Sequence, residues 1–219
     1  MCGRTAATGF DAWAPTYEQS ALQSTLYLPA QERALQFAQQ LMPRPKRVLD
    51  IGCGTGRLLR QARQQYPSAM LVGVDAAWGM VATAAAATAA ELAIHHVRAA
   101  AERLPFASRV FDLVVATMSL RHWTDVGTGI AQIDRVLAPG GVLVVADVFS
   151  TCRRRSLRAV VPWRRGHDHG GAPVELAAVL ATHGLVMVGC ERVPWFRLPD
   201  VQVIAAQKPL CPYLDLPDP

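Results

Sequence analysis

Val48-Leu49-Asp50-Ile51-Gly52-Cys53-Gly54-Thr55-Gly56 is an apolar strand that runs straight into a glycine-dense turn. Glycine has no β-carbon, so it tolerates positive φ and lets the backbone touch what it binds; three alternate glycines spend conformational entropy that a plain connector does not need. A closely approached ligand is the reading that explains the turn. A dinucleotide fingerprint also opens with Gly-x-Gly after a strand. Here Arg57 occupies the position of its third glycine, where helix and strand must pack closely, and Gly56 comes one residue early. Asp50, in the leading strand, would repel a pyrophosphate and suits a cationic or hydroxyl-bearing ligand.

Further along, Leu71-Val72-Gly73-Val74-Asp75 reads as a second buried strand ending in an acid placed to accept hydrogen bonds from a ribose diol. Ala101-Glu102-Arg103-Leu104-Pro105-Phe106, Phe111-Asp112-Leu113-Val114-Val115-Ala116 and Arg135-Val136-Leu137-Ala138-Pro139-Gly140-Gly141 come after it. In this order and spacing the blocks resemble the class I S-adenosylmethionine (SAM)-dependent methyltransferases, particularly the small-molecule group that contains the ubiquinone and menaquinone methyltransferases. The resemblance runs from about Phe10 to Val148.

It implies a doubly wound, Rossmann-like α/β fold with a mostly parallel seven-stranded sheet and a C-terminal antiparallel hairpin. The pattern of the chain agrees. Strands at 47–51, 70–74, 94–98, 111–116 and 141–148, apolar for most of their length, alternate with helices at 56–65, 77–92 and 125–137, which implies a parallel sheet covered on both faces. An earlier helix, Pro29 to Leu41, stops at Met42-Pro43, where proline forbids continuation. The alanine-rich run from Met80 to Ala90 is read as a helix that lies close to the sheet. A helix near 173–183 and strands near 185–192 and 200–207 close the fold. One domain is expected over 1–208, with 1–42 as lid and helix and 209–219 as a proline-rich tail.

The resemblance also assigns roles. Gly52, Cys53 and Gly54 would bring main chain against the methionine part of SAM, with Gly56 in the same turn and Asp50 orienting the ammonium group. Asp75 would take the ribose hydroxyls, with Ala76 and Met80 flanking adenine. Ala100 stands where the family commonly has an acid that accepts from the adenine amine, so adenine would be held by main chain near Ala101 and Glu102, by apolar contact or by water. Phe10-Asp11-Ala12-Trp13-Ala14-Pro15-Thr16-Tyr17-Glu18 resembles a segment that folds over the cofactor, with Glu18 replacing the usual second Asp. Trp13 and Tyr17 are therefore lid candidates that exclude water, or core anchors. Ala116, Thr117 and Met118 should line the pocket at the carboxyl end of their strand.

In Leu120-Arg121-His122-Trp123-Thr124-Asp125, His122 matches the second histidine of a family Leu-His-His and Arg121 replaces the first. His122 is the candidate general base, since histidine titrates near neutrality, or else it positions the loop. Met118, Arg121 and Trp123, together with Trp13, are the candidate acceptor contacts.

The chain of 219 residues, 51% hydrophobic, is long enough for one well-buried core and short for two. Its net charge of +5 favours anionic partners modestly. Five cysteines without a Cys-x-x-Cys pair suggest neither a zinc site nor a disulfide framework. His167-Asp168-His169 makes a weak ligand set without a further partner, so no metal is expected. The first residues lack a basic start followed by an uninterrupted apolar core, and no segment is apolar for the length a bilayer requires; a cytoplasmic location is expected.

The sequence thus points to methyl transfer from SAM, leaving S-adenosyl-L-homocysteine, to an oxygen, nitrogen or carbon of a small molecule. The lack of a long appended domain argues against a macromolecular substrate. Two alternatives stay open: an RNA methyltransferase, for which the arginines of 153–165 speak, and a non-catalytic SAM-binding accessory protein, motivated by Ala100. The oligomeric state is not encoded in any motif.

Overall fold

The computed structural model describes residues 6–89, 93–149, 173–193 and 201–210. The basic stretch 153–165, the His167–His169 motif and all but the first two residues of the tail lie outside them. Seven strands form one sheet in the order β3-β2-β1-β4-β5-β7-β6: β1 (Arg47–Ile51), β2 (Met70–Asp75), β3 (Ile94–Arg98), β4 (Phe111–Thr117), β5 (Leu137–Val148), β6 (Val186–Val193) and β7 (Val201–Gln207). β1 to β5 run parallel, and β7 pairs antiparallel with both β5 and β6. The expected fold class is the observed one.

Strand alternation sorts the core into two layers. Val48, Leu71, Leu113, Val115 and Val144 face α2 (Leu28–Leu41) and α3 (Arg57–Gln65) on one side. Leu49, Val72, Val114, Leu143 and Val145 face α5 (Val126–Val136) and α6 (Pro173–Thr182) on the other. Leu49, Leu113 and Ile133 are wholly buried, so truncating any of them to alanine would cost about 2–5 kcal/mol. The chain enters at β1, builds outward to β3, then returns to lay β4 on the opposite side of β1. That reversal leaves a crevice at the carboxyl ends of β1 and β4.

Two boundaries differ from expectation. The helix read over 77–92 is α4, Trp78–Ala87; Thr88 turns extended, its Oγ1 donating to the Ala84 carbonyl (2.8 Å) and meeting His96 Nε2 at 3.0 Å. A hydroxyl that bonds the preceding turn and a β3 side chain ends a helix that alanine propensity alone would extend. β5 begins at Leu137 instead of 141, because the chain pairs with Phe111 before Gly140, at φ +77°, re-aims it. Ahead of α2, the segment read as a lid is α1 (Ala6–Trp13), a 3-10 turn Ala14–Gln19 and a π-helical turn Gln23–Tyr27.

Candidate functional site

At the end of β1 the N–H groups of Gly52 and Cys53 both donate to the Val74 carbonyl, at 2.8 and 3.0 Å, which folds the turn against β2. Gly52 has φ +76°, and a β-carbon there would sit 2.3 Å from Ser119 Cβ. Ser119 in turn donates to the Ile51 carbonyl (2.8 Å), so the loop after β4 is pinned against the turn. Gly54 shows the opposite surroundings: the nearest atom to a β-carbon would be Tyr17 Cε1 at 3.7 Å. Its main chain is open to the crevice.

Asp75 closes this wall. One carboxylate oxygen accepts from Gly54 N and the other from Ala77 N, both at 2.9 Å. Burial raises the Asp75 pKa, against the opposing pull of those N–H donors. Asp50 stands one layer behind, 1% exposed, with its Oδ1 unpartnered. Burial, and then the charge of Asp75, push its carboxyl up to about 8. Two neighbouring acids, one of which is kept protonated by burial and by the charge of the other, make a wall that a positive charge would favour.

Thirteen of the residues singled out in the sequence line this one crevice: Tyr17, Gly52, Gly54, Asp75, Ala76, Met80, Ala100, Ala101, Glu102, Thr117, Met118, His122 and Trp123. Glu102 Oε1 accepts from Thr124 N (2.5 Å) and Asp125 N (3.1 Å), so this side chain fixes the loop that carries His122 and Trp123. Ala76, Met80 and Ala99 to Ala101 make the adjoining wall largely apolar. Met118 has φ +54°, a strained conformation for a side chain of this size, held by its N–H to the Ala146 carbonyl (2.7 Å).

Six singled-out residues do not line it. Asp50 is the buried acid just described. Cys53 joins the turn through its main chain, while its side chain packs into the core beside Gly73. Gly56 faces His96 on the far side of the turn, where a β-carbon would be 2.8 Å from the ring. Ala116 is turned by strand alternation into the α5 layer. Trp13 stands behind Tyr17, ring to ring at 4.5 Å, and so props the lid. Arg121 turns away to pair with Asp147 at 2.7 Å.

Ala7, Phe10, Tyr27, Ile51, Ala99, Ser119 and Thr124 complete the lining without having been singled out as site residues. Phe10 had a signal, since it opens the aromatic lid motif; its ring meets His122 edge-on at 5.0 Å. Tyr27 had none, because it lies in the π-helical turn just before the periodic part of α2. The lid is tied at both ends. Asp11 accepts from Gly79 N (2.7 Å) in α4, and Glu18 accepts from Thr55 Oγ1 (2.7 Å), Arg57 and Arg60 (2.9 Å each) at the start of α3. Burial works to raise the Glu18 pKa, but the hydrogen bonds from Arg57, Thr55 and Arg60 outweigh it and hold the carboxyl below its usual value.

The fold is that of the class I methyltransferases, and the methyltransferase domain family matches residues 49–145. Among relatives, a malonyl-[acyl-carrier protein] O-methyltransferase from Methylovorus sp. is 34% identical over 148 residues, covering 65% of this chain and 48% of that protein. A demethylmenaquinone methyltransferase from Deinococcus radiodurans is 32% identical, covering 66% of this chain and 61% of its own. The chain thus spans about half the length of most of the curated relatives it matches. In fold it is similar to a putative methyltransferase solved in complex with the Haloferax volcanii Trm112 activator, with TM-score 0.78, 18% identity, and 94% and 99% of the two chains covered. No helix among the described residues is long and apolar enough to cross a membrane.

Proposed function

We propose that the chain transfers the methyl group of SAM to an oxygen, nitrogen or carbon atom of a small-molecule acceptor in metabolite biosynthesis, by in-line displacement. The observation that carries this reading is the pair of acids, Asp50 buried and Asp75 on the crevice, beside a glycine turn that lines it. A sulfonium ligand with an amino-acid ammonium answers both the charge and the shape. The names of the relatives, a demethylmenaquinone methyltransferase and a malonyl-[acyl-carrier protein] O-methyltransferase, support a small acceptor group, free in the one and carried on a protein in the other.

When bound, SAM supplies a methyl carbon made electrophilic by its sulfonium, and the broken bond's electron pair returns to sulfur. The residues of the chain do the rest. Gly52 to Gly54 and Asp75 hold one end, Ala76, Met80 and Ala100 to Glu102 the other, and the lid from α1 to Tyr17 covers the crevice and excludes water. Holding donor and acceptor in line is worth up to about 7–11 kcal/mol. His122, on the crevice wall against Phe10, is placed to take the acceptor's proton when the attacking atom carries one.

The test is calorimetry with S-adenosylhomocysteine and NAD, followed by labelled SAM with a panel of phenols, quinols and heterocyclic amines. Homocysteine-nucleoside binding and label in one acceptor are expected; preference for NAD would overturn the assignment. With a methylated acceptor in hand, His122→Ala should lower kcat by about 100-fold or more if the ring takes the proton. A second reading, SAM binding without catalysis, draws on Ala100 at the adenine wall; tight binding with no acceptor methylated would favour it. RNA as acceptor would show as activity that falls steeply with salt.

A further inference from the structure

The acceptor side of the crevice has its own polar design, and the role assigned to it below the lid rests on the methyltransferase reading of the site. Tyr27 lines the crevice from a π-helical turn, a widened turn that recurs at functional sites, and is 6% exposed. Arg121, one arm of whose guanidinium is fixed on Asp147 at 2.7 Å, bears on the Tyr27 hydroxyl through its charge. Asp147 is 2% exposed and accepts from Leu120 N (3.0 Å) and Val148 N (2.7 Å) as well. Gln23, on the same turn and 4% exposed, sits beside the Tyr17 hydroxyl with its Nε2 unpartnered.

This corner therefore offers donors. Burial raises the pKa of both tyrosines, so each keeps its proton at neutral pH. A positive charge near the Tyr27 oxygen makes its O–H a stronger donor, and a buried donor on the crevice lining is best satisfied by an anion. Around it are Met118 and Phe10, and Ser119 is already committed to Ile51. An amine acceptor would bring hydrogens where acceptors are wanted. The acids Asp50 and Asp75 belong to the opposite wall, where a bound sulfonium offsets them.

We propose that Tyr27 is the specificity-determining contact for an acceptor that carries an oxyanion beside the methylated atom, whether enolate, phenolate or carboxylate, and that Arg121 is the residue that positions and polarises it.

The experiment saturates the protein with S-adenosylhomocysteine and titrates two pairs of probes by calorimetry: 2,4-dinitrophenolate against 2,4-dinitroanisole, and phenylacetate against methyl phenylacetate. At least one anion should bind about tenfold more tightly than its neutral partner, in line with one charge-assisted hydrogen bond. The pair that shows the difference identifies the oxyanion as phenolate-like or carboxylate. Tyr27→Phe should bring that ratio to within about twofold, with S-adenosylhomocysteine affinity unchanged as proof of folding. Arg121→Met leaves Asp147 without its cation and can unfold the loop, so Arg121→Lys serves beside it and should keep part of the preference. Equal binding of anion and neutral partner in both pairs, absence of binding by all four probes, or a ratio that survives Tyr27→Phe would overturn the proposal. Failure of the unaltered chain to bind S-adenosylhomocysteine would instead bring down the methyltransferase reading, and this inference with it.

Discussion

The two walls of the crevice are built on different principles. The wall from Asp50 to Ala76 is local: two adjacent parallel strands, one crossover and a turn whose donors and acceptors satisfy each other, with Asp75 bonded to Gly54 and Ala77 and the turn bonded to Val74. The facing wall is assembled from three distant segments, the lid, the π-helical turn and the loop after β4, docked through Glu18, Asp11 and pairs of aromatic rings. The first wall is set before any ligand arrives. In the second, the N-terminal segment is held by partly exposed ion pairs and ring contacts, while the loop after β4 is fixed by Ser119 and the buried Asp147.

The sharpest test of that contrast is Gly52→Ala. Its β-carbon would overlap Ser119 at 2.3 Å in a φ of +76°. The strain is expected to cost about 1–3 kcal/mol in urea denaturation and to weaken S-adenosylhomocysteine by roughly 100-fold in calorimetry. An unaffected site would mean that the turn is no more rigid than the lid.

A smaller effect is expected from pH. The Asp50 carboxyl sits at about 8 in the folded chain against an ordinary 3.8, so between those values the folded protein holds a proton that the unfolded chain has lost. Stability should therefore be greatest at the acid end of the window and decline as pH rises from about 4 to about 8. Affinity for the cationic SAM should rise over the same window, since the ligand favours the ionised acid. Asp50→Asn should flatten both trends, as read from denaturation and titration at several pH values; persistence of the slopes would place the charge elsewhere.

The smallest effect is expected at the lid. Glu18→Gln removes two partly exposed ion pairs worth about 0.2–1 kcal/mol each, so S-adenosylhomocysteine should leave about twofold to fivefold faster in stopped flow while the fold keeps its stability. Because the Glu18 pKa is lowered, the grip of the unaltered lid should hold above its ordinary 4.5 and slacken only as pH falls through the lowered value. A dissociation rate identical in both proteins would show that the aromatic contacts alone hold the lid.

Legibility followed the same division. The glycine turn, Asp75 and the alanine-glutamate block announce themselves because residue type there is dictated by local backbone geometry, and each ends up on the crevice. Ala116 was misplaced by one step of strand alternation, Gly56 by the assumption that every glycine of the turn serves the ligand. Arg121 stands in the motif position of a ligand contact, yet the charge of Asp147, from a different strand, draws it away. Tyr27 carries no local signal at all.

By itself the sequence determined the class of fold, the order of its elements and the glycine-and-acid wall of the crevice, since hydrophobic period and glycine placement act over a few residues. Tertiary structure alone decided which side chains share the acceptor wall, that Asp50 lies without a partner for its Oδ1, and that the charge of Arg121 bears on Tyr27. Those outcomes come from burial and from charges meeting across the sheet. Both are properties of distance in space, and spacing along the chain does not carry them.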